Sequence, residues 1–337
     1  MLAWCIIDLY FIKKRKNNHF NMLDHFSQDI FNGLSSSPKY LQSKYFYDAE
    51  GDRLFQQIME LEEYYPTDCE EQIFQTHKDK LLHFFHNSST PFLLTELGAG
   101  DGMKTKVLLE HFLAQGASFS YLPIDISSNI LEMLESDLSR VIPELNIRSY
   151  AGEYFQALHE MNKQENGRKV LLFLGSTIGN FEYPAAIKFL QSLYQSMSAH
   201  DLLFIGFDLK KNPQVILKAY NDPKGVTAQF NLNLLRRINR ELEGDFYPRN
   251  FFHYPTYDPV TGEAKSYLIS RKAHDVHIRA LSATFHFNKD EPIFMEISQK
   301  YDEQMIHDLA VHSGFAHLHN FYDDRKYFVD SLWEKKY

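Results

Sequence analysis

Between residues 92 and 209 short apolar runs alternate with amphipathic stretches, and this alternation restricts the fold more than any other feature. FLLTEL (92–97), SYLPID (120–125), LNIRSYAG (145–152), KVLLFLG (169–175) and LLFIGFDL (202–209) read as strands. Residues 104–113, 128–141 and 183–197 carry helical periodicity, the second stretch closing at Pro143. Strands separated by helices cross over right-handedly, which gives a parallel, doubly wound sheet covered on both faces and an α/β fold class. The regularity breaks near residue 210. Residues 213–243 are helical in pattern, and NFFHYPTYD, EAKSYLISR, HDVHIRAL and PIFMEIS across 249–298 read as an antiparallel layer. A helix over 302–313, a Gly314 cap and a strand around 315–321 return to the first pattern, so a second, smaller α+β unit is inserted into the first.

Bulk properties remove several classes of function. A formal charge of −9 opposes a large nucleic-acid footprint, which needs a basic face to replace phosphate counterions. Cys5 and Cys69 are the only cysteines, which excludes a disulfide framework or a cysteine zinc cluster and fits the cytoplasm. The pairs His83 and His86, His274 and His277, and His317 and His319 lie on different elements without an HExxH set, so no metal is expected. Ser176 lacks a GxSxG elbow and is not read as a hydrolase nucleophile. The N-terminal MLAWCIIDLYFIKKRK is too short in its apolar part to span a bilayer, and its basic residues follow that part instead of preceding it. No membrane partner is expected, the KKRK run (13–16) reads as solvated charge, and residues 1–21 read as an extension ahead of a start at Met22.

The first apolar run ends in ELGAGDG (96–102). Alternate glycines allow a sharp turn after a strand and a close approach of a ligand to the backbone. A dinucleotide GxGxxG would need glycine at 103, where Met103 stands. The spacing, acid-x-Gly-x-Gly-x-Gly, resembles instead the first motif of class I S-adenosylmethionine-dependent methyltransferases. Asp125 ends the second run, where a carboxylate can accept hydrogen bonds from both hydroxyls of a ribose; the alternative is an unrelated turn with an N-capping Asp.

Longer stretches extend the likeness. KYFYDAEGDRLFQQIMELEEYYPTDCE (44–70), ELGAGDGMKT (96–105), FLGSTIGNFE (173–182), AYNDPKGVTAQFNLNLLRRINREL (219–242) and FMEISQKY (294–301) resemble the histidine-specific methyltransferase family. That family includes the ergothioneine-pathway enzyme that trimethylates the α-amine of L-histidine to hercynine. The resemblance implies a class I Rossmann-like domain from residues 69–209 and 300–337, a substrate-binding domain from 22–68 and 210–299, and a monomer. It implies S-adenosyl-L-methionine contacts at Gly98, Gly100, Gly102, Lys104, Asp125 and the pair Glu153 and Tyr154, where the family more usually has Asp-Phe. It further implies an amino-acid head group held by Tyr64, Asn180 and Tyr220, with Asn180 and Tyr47 orienting the amine, and an imidazole facing Glu296 and Ser298. Ser266 stands where the best-known bacterial member has a Met against the imidazole, which loosens that wall.

These residue types suit the chemistry. Methyl transfer from a sulfonium needs a neutral amine with its lone pair aimed at the methyl group, so position and orientation carry much of the acceleration. A carboxylate on the amine would stabilise the ammonium and oppose reaction, whereas Asn and Tyr orient without a strong ion pair. Glu296 and Ser298 are two apart on a strand, hence on one face, and can meet both imidazole nitrogens. The alternatives are N-methylation of another amino acid or amine, such as a tryptophan derivative, and a non-catalytic cofactor-binding module.

Overall fold

The computed structural model describes residues 22–86 and 90–337; the extension expected at 1–21, with its KKRK run, lies outside the described residues. The described residues divide into two compact units, one of Tyr65–Lys211 with Gln299–Tyr337, the other of residues 22–64 with Asn212–Ser298.

The first unit is built on a seven-stranded sheet. Across it run Tyr150–Ala151, Phe119–Asp125, Phe92–Leu97, Arg168–Phe173, Leu202–Asp208, Phe328–Glu334 and Ala316–Tyr322. Counted in chain order these strands stand 3-2-1-4-5-7-6, all running the same way except Phe328–Glu334, which is antiparallel to both of its neighbours. Every residue of Phe92–Leu97 and of Leu202–Asp208 is buried, because helices cover both faces of the sheet, and this is why their sequences run apolar without alternation. Leu122, Leu171, Phe173, Leu190, Leu203 and Trp333 lie in its core. The strand order reverses between Phe92–Leu97 and Arg168–Phe173, the switch point where open α/β sheets bind ligands beyond the carboxyl ends of their strands. The two segments leaving those ends are ELGAGDG and GSTIGN.

Two expectations are corrected here. The strand expected over 145–152 contracts to Tyr150–Ala151, because at the sheet edge its approach is tied off by single bonds, such as Arg148 N–H to the Tyr121 carbonyl at 3.1 Å. A strand at Phe328–Glu334 went unread, because Asp330 and Ser331 interrupt its apolar pattern although both are fully buried.

The second unit contains a four-stranded sheet ordered Lys39–Tyr40, Pro292–Gln299, Glu263–Ser270 and Phe251–Tyr257, and a separate ribbon of His274–Ile278 with Ala283–Phe287. The layer is therefore not purely antiparallel, since Lys39–Tyr40 joins Pro292–Gln299 in parallel, and Ala283–Phe287 is a strand the sequence reading omitted. The amphipathic helix Val226–Leu242 contributes Phe230, Leu234, Leu235 and Ile238 to this unit's core, alongside Phe46, Leu268 and Met295.

Candidate cofactor and substrate sites

The glycine loop turns left-handed at each alternate position, with φ of +74° at Gly98, +55° at Gly100 and +65° at Gly102. The Gly98 amide donates to the Ile124 carbonyl at 2.8 Å, which docks the loop on the neighbouring strand. Half-buried Asp125, at the end of that strand, accepts the Gly100 amide at 3.2 Å and the Ser127 amide at 3.0 Å. The N-cap of the following helix is Ser127, which accepts from Ile130, so Asp125 is left for the loop. Tyr154 opens the helix Tyr154–Gln164 with its ring edge-on to Phe173, and its hydroxyl would lie 2.8 Å from a Cβ placed on Gly98. Glu153 is exposed at the N-cap position of this helix. An open backbone at Gly100, where a Cβ would meet nothing within 4 Å, beside a strand-end carboxylate fits an adenosyl cofactor with a ribose diol.

Beneath the loop lies a layer of buried charge. Glu96 accepts from Thr105 Oγ1 at 2.9 Å and Tyr121 OH at 2.5 Å. Burial pushes its carboxyl up to about 7, against those hydrogen bonds and the nearby Lys104 charge. Folding thus favours protonated Glu96: its contribution is complete below about pH 4.5 and is lost as pH rises through about 7. Glu96→Gln, read by thermal unfolding across this range, is therefore expected to flatten the fall in melting temperature; an unchanged slope would count against the assignment.

Lys104 is half-buried and paired with Glu70; burial works against its charge, yet the Glu70 carboxylate holds its pKa above the ordinary lysine value. Sequence reading missed Glu70, although a signal was present. In the helix Pro66–Phe85 the positions Pro66, Cys69, Glu70, Ile73 and Phe74 form one buried stripe, and Glu70 is the charged member of it.

GSTIGN leaves the strand Arg168–Phe173 through left-handed Gly175 (φ +68°) and Ser176 (φ +55°) into a tight turn at Thr177–Asn180. Ser176 Oγ accepts the Asp208 amide at 3.0 Å, Thr177 Oγ1 donates to the Leu174 carbonyl at 2.7 Å, and Tyr301 OH donates to the Ile178 carbonyl at 3.2 Å. These residues hold the turn, while Asn180 at its end is exposed.

The remaining residues singled out from the sequence belong to the second unit. Tyr47 and Tyr64 both pack edge-on to Phe55, at centroid distances of 5.6 and 6.3 Å. Asp48 fixes Tyr47 by capping the helix Ala49–Met59 and by accepting from Asn233 and Arg240 of the long helix, which gives the NLNLLRRINREL stretch a structural task. Asp222 of AYND accepts the Val226 and Thr227 amides at 2.8 Å and so anchors the segment after Tyr220. Tyr220 OH donates to Ser298 Oγ at 2.8 Å, and Glu296 is half-buried on the same strand as Ser298. Ser266 is buried, with its Oγ 3.2 Å from His253 Nε2. Burial pushes His253 down to about 4, so this ring is neutral; nothing in its local sequence marked it.

Among the described residues no three or more His, Cys, Asp or Glu side chains gather as a metal site, and no helix is long and apolar enough to cross a membrane.

The histidine N-alpha-methyltransferase of Mycobacterium tuberculosis is 34% identical over 83% of this chain and 85% of its own length. That of Mycolicibacterium smegmatis is 33% identical over 87% of this chain and 89% of its own. Ergothioneine biosynthesis protein 1 of Schizosaccharomyces pombe is 28% identical over 78% of this chain, a match that spans 35% of that longer protein. The family model described as histidine-specific methyltransferase, SAM-dependent, matches residues 26–335. With the 3-2-1-4-5-7-6 sheet and the glycine loop at its switch point, this match shows that the chain belongs to the histidine-specific, S-adenosylmethionine-dependent methyltransferases.

Proposed function

We propose that the protein trimethylates the α-amine of L-histidine to give hercynine. The observation that carries the reading is the Tyr220–Ser298 hydrogen bond, which joins two residues of the expected histidine-binding set in a chain of this family. In this reading Asn180 and Tyr64 hold the amino-acid carboxylate, and Tyr47 and Asn180 orient the amine through uncharged oxygens. Glu296 accepts an imidazole N–H while the Ser298 hydroxyl, itself accepting from Tyr220, meets the other ring nitrogen. Leaving these polar groups unpaired against an apolar side chain would cost about 1–3 kcal/mol, which selects histidine over leucine or phenylalanine. Buried Ser266 with half-buried His253 supplies a neutral polar backing where the best-known bacterial member carries a Met.

Bound S-adenosylmethionine supplies the sulfonium methyl group. The chain's own part is to place the amine in line with it, to keep that amine free of a carboxylate partner, and to hold the amino acid by groups that do not depend on its N–H donors. Those donors disappear with each methylation, whereas the carboxylate and imidazole remain.

The test is incubation of the purified protein with S-adenosylmethionine and each amino acid, with tryptophan derivatives included, and products read by mass. Trimethylated histidine is the expected product. Preferred turnover of another acceptor would overturn the histidine assignment, and no turnover with any acceptor would sink the enzymatic reading.

A further inference from the structure

Two buried carboxyl groups near the glycine loop have no part in the chemistry above. Glu70 is fully buried, and its two oxygens are spent on two different loops. Oε2 pairs with Lys104, just beyond ELGAGDG, and Oε1 accepts the amide of Gly175, the first residue of GSTIGN, at 2.7 Å. These partners lie 34 and 105 residues away in the chain. We propose that Glu70 is a positioning residue that locks the glycine loop and the GSTIGN turn into one arrangement, one carboxylate oxygen serving each. The proposal rests on the reading of Lys104 as a cofactor-facing cation.

A second feature of the sheet points the same way. Gly206 sits in the middle of the fully buried strand Leu202–Asp208, where a glycine weakens a strand unless another group must come close. Here the approaching group is Glu70: a Cβ at position 206 would stand 2.6 Å from Glu70 Oε1 and 3.0 Å from the Phe328 ring. The strand thus carries a notch that admits the carboxylate. Opposite Gly206 in the ladder stands Asp330, fully buried and within hydrogen-bonding reach of Glu70. Burial, the neighbouring Glu70 carboxylate and a hydrogen bond to it push Asp330 well above the ordinary carboxylate range, so Asp330 stands as the neutral acid that donates to Glu70. The groups facing this point are therefore Glu70 from its helix, Lys104 from the loop, Asp330 from its strand and, beyond Lys104, Glu96. A neutral Asp330 brings no second negative charge to the Glu70–Lys104 pair.

Binding of S-adenosylhomocysteine by calorimetry tests this without any acceptor amino acid, so its outcome is separate from that of the histidine reading. Glu70→Gln keeps an acceptor for the Gly175 amide but removes the charge from Lys104, and is expected to weaken binding about tenfold. Lys104→Met should weaken it similarly, and the double variant should bind no worse than the weaker single one, since both break one unit. Asp330→Asn, a mimic of the neutral acid, should stay within about threefold of wild type. In the ligand-free protein, hydrogen exchange at the Gly175 amide should quicken in Glu70→Ala and stay slow in Lys104→Met, a contrast that general loosening of the fold would not give. Should Glu70→Gln not fold, Glu70→Asp is expected to show the same weakened binding through its shorter reach. Wild-type affinity in the folded Glu70 variant, additive losses in the double variant, or a Gly175 amide indifferent to Glu70→Ala would each overturn the proposal.

Discussion

Asn180→Ala is expected to lower kcat/KM for L-histidine by about 30- to 100-fold while leaving S-adenosylhomocysteine affinity within about twofold. The size follows from losing a hydrogen bond to a charged group, worth about 1.5–3 kcal/mol, at a position where the proposed role is orientation. The turn around it should survive, because its supports lie elsewhere. Ser176 and Thr177 bond to the backbone, and a Cβ at Gly179 would stand 2.9 Å from the Gln299 carbonyl oxygen, so the loop is already seated closely. Asn180→Asp separates charge from shape: the same-sized carboxylate would repel the substrate carboxylate and hold the amine as ammonium, so its loss should exceed that of the alanine variant. Histidine binding by calorimetry, in the presence of S-adenosylhomocysteine, reads both variants. Unchanged histidine affinity in Asn180→Ala would remove this residue from the site.

A comparable loss, on the cofactor side, is expected from Gly98→Ala. Two costs meet at this position. The backbone stands at φ +74°, which a residue with a Cβ occupies at about 1–2 kcal/mol. The added methyl would also lie 2.8 Å from Tyr154 OH, on a ring packed edge-on against Phe173 and Phe189. Together these should weaken S-adenosylhomocysteine binding by about 10- to 30-fold. Tyr154→Phe distinguishes the two costs, since it removes the contacting oxygen and leaves the backbone strain. The double variant should recover part of the lost affinity. No recovery would show that the hydroxyl contact is not a cause, and wild-type affinity in Gly98→Ala would mean that the loop tolerates a side chain where it turns.

Much of the methyltransferase sheet was legible because its strands are buried on both faces. A strand such as Phe92–Leu97 or Leu202–Asp208 is mostly apolar, and the property is local to the run itself. The glycine loop was legible for a similar reason, since its three left-handed positions demand glycine whatever surrounds them. Asp125 could be placed because a strand end has a definite position relative to the loop that follows its neighbour. The motif residues of the second unit were found through resemblance, as nothing in a lone Tyr47, Tyr220 or Glu296 distinguishes it from a surface side chain.

The tertiary structure alone decided which polar residues are buried and what they meet. Glu70 and Asp330 look like ordinary helix or strand residues, and their burial depends on neighbours delivered from distant parts of the chain. The strand Phe328–Glu334 escaped the sequence reading for the same reason, since it hides Asp330 and Ser331 between two neighbouring strands. By itself the sequence determined the alternation, the loop and the order of the motifs, which follow from backbone sterics and from the burial of continuous apolar runs. The pairing of buried charge around Glu70 is a long-range property, because a carboxylate leaves water only where folding brings a cation and an amide to meet it.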